Sequence, residues 1–213
     1  MLKQRVQQAV LYWVYDFDLC QKLDGNYEIL KSLLNSGLID IIQFRAKNLD
    51  EAAYEKWVAE VLPLVNRQTT LVFSNDFVEV VNKLNLDGVH VGQDDMPVEK
   101  AREILGDEKL IGATARSEER ALLADGQNAD YLGVGTVFET STKQGLTAKG
   151  PQFISHIKSL VKCPVFPIGG IEVENAAFLQ SETNVGCAAI ASCLLRAQNP
   201  LLYAEKLKKV FTA

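Results

Sequence analysis

Residues 39–74 read IDIIQFRAKNLDEAAYEKWVAEVLPLVNRQTTLVFS, and this stretch contains one complete strand–helix–strand unit. Its two ends, IDIIQF and TTLVFS, are short apolar runs typical of parallel strands that are buried on both faces. Between them, Asp50 is the predicted cap of a helix that extends to about residue 66. Because successive parallel strands need a crossover connection, this unit indicates an α/β fold.

The same alternation continues on both sides of this unit. We predict strands at 11–15, 39–44, 69–74, 87–92, 109–114, 129–135, 164–170 and 185–191. Helices are predicted after them. Three have both bounds, at 27–35, 50–66 and 77–84; one begins at Pro97, one begins after Ser117, one ends at Val161, one contains 175–180 and one begins at Pro200. An open doubly wound sheet and a closed barrel both fit this order, but eight evenly spaced units favour the barrel. The prediction is a single (β/α)8 TIM barrel with parallel strands over residues 1–213, with 1–10 as a candidate N-terminal extension.

The composition narrows the class of protein. A length of 213 residues suits one barrel, and the 47% hydrophobic content is ordinary for a globular protein. The net charge of −5 argues against a nucleic-acid partner, and no apolar run predicts a membrane span or a signal peptide. The four cysteines form no CxxC pair and there are only two histidines, which argues against a zinc site. Free cysteines without a signal peptide favour the reducing cytoplasm.

Polar residues collect where the predicted strands end, which is the end of a barrel that carries the chemistry. After the second strand, QFRAK places Gln43, Arg45 and Lys47 on one side of the chain. Phe44 and Ala46 point to the other side. Two cations beside an amide suit the binding of an anionic group. A solvated strand end is the alternative interpretation.

Carboxylates follow the third and fourth strands. Asp76 and Asp95 are the candidate metal ligands, because Mg2+ typically takes one or two carboxylates and completes its shell with water and substrate phosphates. Both residues also precede predicted helices, so a helix N-cap is a strong alternative for either one alone. The residue types do not decide between Asp95 and its neighbour Asp94.

Hydroxyl groups and glycines follow the later strands. Thr140, Thr142 and Lys143 lie after the sixth strand and suit phosphate oxygens, although an ordinary polar loop is the alternative. Gly169–Gly170 follows the seventh strand and allows backbone N–H groups to approach a phosphate. The eighth strand ends at Ala191–Ser192, and these last two loops together match the phosphate site common in barrels.

The two histidines do not suggest acid–base catalysis. His90 lies inside an apolar strand and is interpreted as a core or rim residue, whereas His156 lies on a polar helix and is expected at the surface. No Ser–His–Asp arrangement is recognisable. Thr114 and Arg116 follow the fifth strand and add a further hydroxyl group and cation to the strand ends.

Together, these residues resemble the ordered motifs of the thiamine phosphate synthase family. The motifs are QFRAK (43–47), ND (75–76), GVHVGQDD (88–95), GVG (133–135) with TSTK (140–143), and IGGI (168–171). The resemblance implies a transferase that joins hydroxymethylpyrimidine diphosphate to hydroxyethylthiazole phosphate with Mg2+. It also implies a dissociative mechanism, in which pyrophosphate leaves before the thiazole nitrogen attacks, and a homo-oligomer.

The resemblance assigns roles to individual residues. The diphosphate would be bound by Arg45, Lys47, Asn75 and Lys143, of which Arg45, Lys47 and Lys143 are the candidate catalytic residues. The metal would be held by Asp76 and Asp95. The pyrimidine would lie near Gln43, and Thr114 would lie by the pyrimidine or the pyrophosphate. The thiazole phosphate would be bound by Thr140, Thr142, Gly169, Gly170, Ile190, Ala191 and Ser192. The sequence departs from the family pattern at Phe44, at Thr114 and at Ala191, where the usual serine comes one place later.

Other interpretations remain open at this point. A thiazole tautomerase-like paralogue, or a non-catalytic binder of a phosphorylated thiazole or pyrimidine, would have the same barrel. Such paralogues generally lose the acids and cations that this chain keeps at Arg45, Asp76 and Asp95. An unrelated phosphate-binding isomerase or lyase would need an acid–base pair, which the sequence does not suggest.

Overall fold

Eight parallel strands form a closed barrel in the computed structural model, which describes residues 1–22, 27–140, 145 and 147–212. Each strand pairs with the next in chain order, and β1 pairs with β8. The strands are Leu11–Asp16 (β1), Ile41–Arg45 (β2), Leu71–Asn75 (β3), Gly88–Val91 (β4), Leu110–Ala115 (β5), Tyr131–Gly135 (β6), Val165–Ile168 (β7) and Ala188–Ile190 (β8). The predicted (β/α)8 TIM barrel is confirmed.

Helices surround the barrel. They are α1 (Leu2–Gln8), α2 (Phe17–Lys22), α3 (Tyr27–Asn35), α4 (Glu51–Val61), α5 (Val78–Lys83), α6 (Val98–Leu105), α7 (Glu118–Gly126), α8 (Gly150–Leu160), α9 (Val173–Thr183), α10 (Ser192–Arg196) and α11 (Pro200–Thr212). None of the helices in the described ranges is both long and apolar enough to span a lipid bilayer.

The sequence placed every strand correctly but misjudged several ends. The helix predicted to reach residue 66 ends at Val61 and continues as a short 3-10 helix at Leu62–Leu64. Pro63 explains the change, because proline has no N–H to donate to the α-helical ladder. Pro97 precedes α6 rather than opening it. Helices α1, α2 and α10 were not predicted, since each is short.

Two of the predicted helix caps are confirmed. The Asp50 side chain accepts a hydrogen bond from the backbone N–H of Ala53, at the start of α4. Ser117 accepts one from the N–H of Arg120, at the start of α7. Each contact satisfies a backbone donor that has no partner within its helix, so these residues fix where the helices begin.

The expected N-terminal extension contains α1, which lies across the amino-terminal end of the barrel. Val6 packs into the apolar cluster that fills the barrel interior. Lys3 pairs with Asp130 at 3.1 Å, and Arg5 donates to the carbonyl oxygen of Arg67 at 3.3 Å. Both partners precede strands, so the helix covers the end opposite to the one where the strands finish.

Aromatic side chains fill the interior of the barrel. Tyr12, Phe73, Tyr131 and Phe166 are buried and meet at ring-centroid distances of 5.5 to 6.3 Å, mostly edge to face. Gly112 gives them room, because a Cβ atom there would lie 1.9 Å from Cζ of Tyr131. The interior is therefore a packed core and not a channel, which leaves the carboxyl ends of the strands as the place for a site.

We expect Gly112→Ala to lower the free energy of unfolding by about 1–3 kcal/mol, because the added methyl group overpacks the core against the ring of Tyr131. Urea denaturation measures this. Gly126→Ala is the control: no atom lies within 4 Å of a Cβ at Gly126, and stability should stay the same or rise by up to about 1 kcal/mol. Equal stability of wild type and Gly112→Ala would contradict the packing described.

Candidate functional site

A cavity of about 440 Å³ opens at the carboxyl ends of the strands, and residues that end or follow each of the eight strands line it. The structure brings together every predicted site residue that it describes. These are Gln43, Arg45, Lys47, Asn75, Asp76, Asp95, Thr114, Thr140, Gly169, Gly170, Ile190, Ala191 and Ser192. Thr142 and Lys143 lie outside the described residues. Asp94 also lines the cavity.

The alternation predicted for QFRAK is present. Gln43, Arg45 and Lys47 line the cavity, whereas Phe44 and Ala46 pack into the apolar core between the barrel and its helices. The side chains of a strand alternate between its two faces, so a single extended segment delivers one amide and two cations to the same cavity.

Arg45 is held by a buried carboxylate. Its guanidinium group forms an ion pair with Asp16, which ends β1 and is only 4% exposed. Because the fork of N–H groups of arginine is planar, an ion pair on one side orients the remaining donors. Arg45 is therefore fixed in direction before any anion binds.

Asp76 and Asp95 converge on the ammonium group of Lys47. Lys47 forms an ion pair with Asp76, and its Nζ lies 3.7 Å from Oδ1 of Asp95. The amide of Asn75 also donates to Asp76. Burial raises the pKa of Asp76 above its usual value, Lys47 opposes this rise, and the nearby Asp95 adds to it. The two carboxylates are close enough to share a cation.

The helix-cap interpretation of these acids is wrong. The cap position of α5 is Phe77 and that of α6 is Pro97. Asp76 instead has a left-handed backbone with φ of 65°, and Asp95 accepts a hydrogen bond from the N–H of Gly92 at 3.0 Å.

Their arrangement fits Mg2+, which uses few protein carboxylates and fills its shell with water and phosphate oxygens. No cluster of three or more His, Cys, Asp or Glu side chains suited to a metal occurs in the described part of the chain. Within that part of the chain, the carboxylates of Asp76 and Asp95 are the candidate metal ligands.

A chain of hydrogen bonds crosses the floor of the cavity. Gln43 Nε2 donates to Tyr12 Oη at 2.9 Å, and the hydroxyl groups of Tyr12 and Tyr131 lie 2.8 Å apart. His90 contacts Tyr131 through Nδ1 at 3.1 Å and Thr114 Oγ1 through Nε2 at 2.9 Å. Burial raises the pKa of both tyrosines, so their hydroxyl groups stay protonated.

That hydrogen-bonded chain sets side-chain orientation. The Gln43 amide has its nitrogen directed at Tyr12, which leaves its oxygen to accept a hydrogen bond from a ligand. His90, predicted as a core or rim residue, lies between the core and the cavity as expected. Its contacts to Tyr131 and Thr114 give it a positioning role.

Two glycines shape the cavity wall after β7. Gly169 and Gly170 have φ of 103° and 65°, in the region that favours glycine. A Cβ at Gly169 would lie 2.2 Å from Thr136 Oγ1, and a Cβ at Gly170 would lie 2.4 Å from the carbonyl oxygen of Glu139. Only glycine lets this loop pack so closely against the loop that follows β6.

Several cavity residues were missed from the sequence, among them Tyr12, Asp16, Glu172 and Arg196. Tyr12 and Asp16 alternate with outward residues of β1, and Asp16 directly follows the strand predicted at 11–15. Glu172 and Arg196 lie further from the strand ends, at the cap of α9 and on α10. A carboxylate directly after the first predicted strand is therefore a signal for Asp16 of the same kind as those after the later strands, but no local pattern indicates Arg196.

The chain is similar to known proteins over most of its length. A family model described as thiamine monophosphate synthase matches residues 11–194. A thiamine-phosphate synthase from Fusobacterium nucleatum is 38% identical over 187 residues, and one from Clostridium acetobutylicum is 36% identical over 188; each match covers 88% of both chains. A solved thiamine phosphate pyrophosphorylase from Pyrococcus furiosus is 31% identical, with a TM-score of 0.81 over 100% of this chain and 98% of that one.

We expect Asp76→Asn to be more stable than wild type at neutral pH without metal. A carboxyl whose pKa is raised by folding favours the protonated form, so its ionisation costs stability as the pH rises. The difference in stability between Asp76→Asn and wild type should vanish as the pH falls towards the usual pKa of an aspartate. Asparagine also tolerates the left-handed backbone. Thermal melts across pH measure both effects.

Mg2+ should raise the melting temperature of wild type and raise that of Asp76→Asn much less, because ligand binding stabilises only a folded site that holds it. Asp94→Asn is the control. It removes one negative charge from the exposed residue next to Asp95 and should keep the response to Mg2+. An equal response of wild type and Asp76→Asn would remove Asp76 from the metal site.

Proposed function

The chain belongs to the thiamine monophosphate synthase family and is a transferase of the thiamine-phosphate synthase type, and we propose that it joins hydroxymethylpyrimidine diphosphate to hydroxyethylthiazole phosphate. The products would be thiamine phosphate and pyrophosphate. One observation carries this proposal. Cations and carboxylates that follow β2, β3 and β4 share a single cavity with the glycine loop that follows β7.

The closed order of strands separates two regions for negatively charged groups. In an eight-stranded ring, β2–β4 lie across the barrel from β7 and β8. The first side offers Arg45, Lys47 and Asn75, which suit a diphosphate; the second offers Gly170 and Ser192, which suit a single phosphate. A pyrimidine diphosphate and a thiazole phosphate would thus meet above the floor between them.

We propose a dissociative reaction. The bond between the pyrimidine methylene carbon and the diphosphate oxygen breaks, and its electron pair goes to pyrophosphate. The methylene cation that results is stabilised by the electron-rich aminopyrimidine ring. The thiazole nitrogen then donates its lone pair to that carbon, which forms the new C–N bond. No step needs a strong base, so the lack of an acid–base pair in the sequence fits this chemistry.

The residues of this chain would act by position and charge. Arg45, Lys47 and Lys143 would stabilise the charge that develops on the leaving pyrophosphate, with Asn75 as a further donor. The Gln43 oxygen would accept a hydrogen bond from the pyrimidine amino group, and Thr114 would lie beside the pyrimidine. The thiazole phosphate would be bound by Thr140, Thr142, Gly169, Gly170, Ile190, Ala191 and Ser192.

Asp76 and Asp95 would hold the metal. When bound, Mg2+ would neutralise negative charge on the diphosphate. Lys47, which lies between the two carboxylates in the structure, would then be released from Asp76 and made available to a phosphate oxygen. The described cysteines are all free, which supports a reducing compartment, and a cytoplasmic location is part of this proposal.

Pyrophosphate release tests the proposed function directly. Purified protein, Mg2+ and hydroxymethylpyrimidine diphosphate should release pyrophosphate together with thiamine phosphate when hydroxyethylthiazole phosphate is added. Binding of both substrates without pyrophosphate release would show a non-catalytic binder. Conversion of a thiazole tautomer without Mg2+ would show a tautomerase instead.

We expect Arg45→Lys to lower kcat by about 10- to 100-fold, because lysine keeps the charge beside Asp16 but loses the planar fork of donors on the leaving group. Steady-state kinetics at saturating substrates measure this. Arg67→Lys is the matched control, since Arg67 pairs with Asp87 at 2.9 Å at the opposite end of the barrel. Similar kcat values for the two variants would place Arg45 outside the catalytic machinery.

A further inference from the structure

Arg196, on the short helix after β8, lines the cavity on the side of the glycine loop. Its Nη1 donates to Ser192 Oγ at 2.8 Å, and its Nη2 donates to Glu172 Oε1 at 2.5 Å. The side chain is 43% exposed, so its guanidinium group is accessible to a ligand in the cavity. Arg196 belongs to none of the family motifs and does not directly follow a predicted strand.

The other described cations of the cavity lie elsewhere on its wall. Arg45 ends β2 and pairs with Asp16, Lys47 follows β2 and pairs with Asp76, and Arg116 follows β5. Among the described lining residues, Arg196 is therefore the cation that accompanies the loops after β7 and β8. A phosphate dianion at those loops, in a protein of net charge −5, needs positive charge close by.

The surroundings of Arg196 hold it in place. Glu172, its ion-pair partner, also accepts a hydrogen bond from Tyr203 Oη at 2.5 Å. The backbone N–H of Glu172 donates to Asn175 Oδ1 at 2.9 Å, and Asn175 Nδ2 donates to the carbonyl oxygen of Gly170 at 2.8 Å. One hydrogen-bonded cluster thus fixes both the arginine and the glycine loop. This lowers the conformational entropy that is lost when a ligand binds.

We propose that Arg196 binds the phosphate group of the thiazole substrate and sets the preference for the phosphorylated thiazole over the corresponding alcohol. A guanidinium group has five N–H donors, and the contacts to Ser192 and Glu172 use two of them. The remaining donors suit phosphate oxygens. This inference rests on the proposed function and adds a specificity-determining residue to it.

Direct binding and kinetics test the role together. Titration calorimetry compares hydroxyethylthiazole phosphate with hydroxyethylthiazole for wild type, Arg196→Gln and Arg196→Lys. Arg196→Gln should weaken binding of the phosphate about tenfold, the size expected for a lost hydrogen bond to a charged group, and should leave the alcohol unaffected. Arg196→Lys should recover part of the affinity. In turnover, only the KM for the thiazole phosphate should rise, with kcat and the KM for the pyrimidine diphosphate retained.

Glu172→Gln separates contact with phosphate from a purely structural role. If Arg196 binds phosphate, Glu172→Gln should leave the affinity for the thiazole phosphate equal or higher, because glutamine keeps an acceptor oxygen for the cluster and removes a negative charge near the phosphate. If Arg196 only holds the two loops together, Glu172→Gln and Arg196→Gln should weaken phosphate and alcohol alike, and the proposal fails. Melting temperatures of all variants show whether they fold.

The proposal also fails if the thiazole phosphate and the alcohol bind wild type equally. Failure of the proposed function is a different result, because wild type would then release no pyrophosphate. Unchanged selectivity of Arg196→Gln alongside normal wild-type turnover would overturn the role of Arg196 alone.

Discussion

Closure of the sheet, through the pairing of β1 with β8, is the constraint on which the candidate site depends. All eight strands run in the same direction, so all of them end at one rim. If the same strand order were left open between β1 and β8, Asp16 at the end of β1 and Ser192 after β8 would lie at opposite edges of the sheet. In the barrel they line the same cavity. The packed aromatic interior supports that rim from below, and α1 covers the other end.

Ion pairs are the second feature that organises this cavity. Arg45 pairs with Asp16, Lys47 with Asp76 and Arg196 with Glu172. Each carboxylate orients its cation and offsets its charge when no anion is bound. An acidic protein can in this way keep directed cations at a site without a basic surface. The pairs Lys47–Asp76 and Arg196–Glu172 are partly exposed, so they stabilise geometry more than they stabilise the fold.

Local patterns allowed the barrel and much of the site to be predicted. Residues 43–47 alternate strictly between polar and apolar side chains, so the sequence alone predicts the directions of Gln43 and Arg45. Contacts across the barrel could not be predicted in this way. The hydrogen bond between Tyr12 and Tyr131 depends on which strands face each other, and no local pattern contains that information. Arg196 lies on a helix of five residues, which is too short for periodicity to indicate.

The ring of strands also limits how this molecule can meet others. Within the described residues every strand has a neighbour on both sides, so no strand offers free backbone groups to a foreign chain. Strand addition, the usual route to aggregation of sheet proteins, is therefore closed to the folded form. A partner would instead meet side chains of the outer surface, among them the exposed Leu123 on α7 and Phe178 on α9.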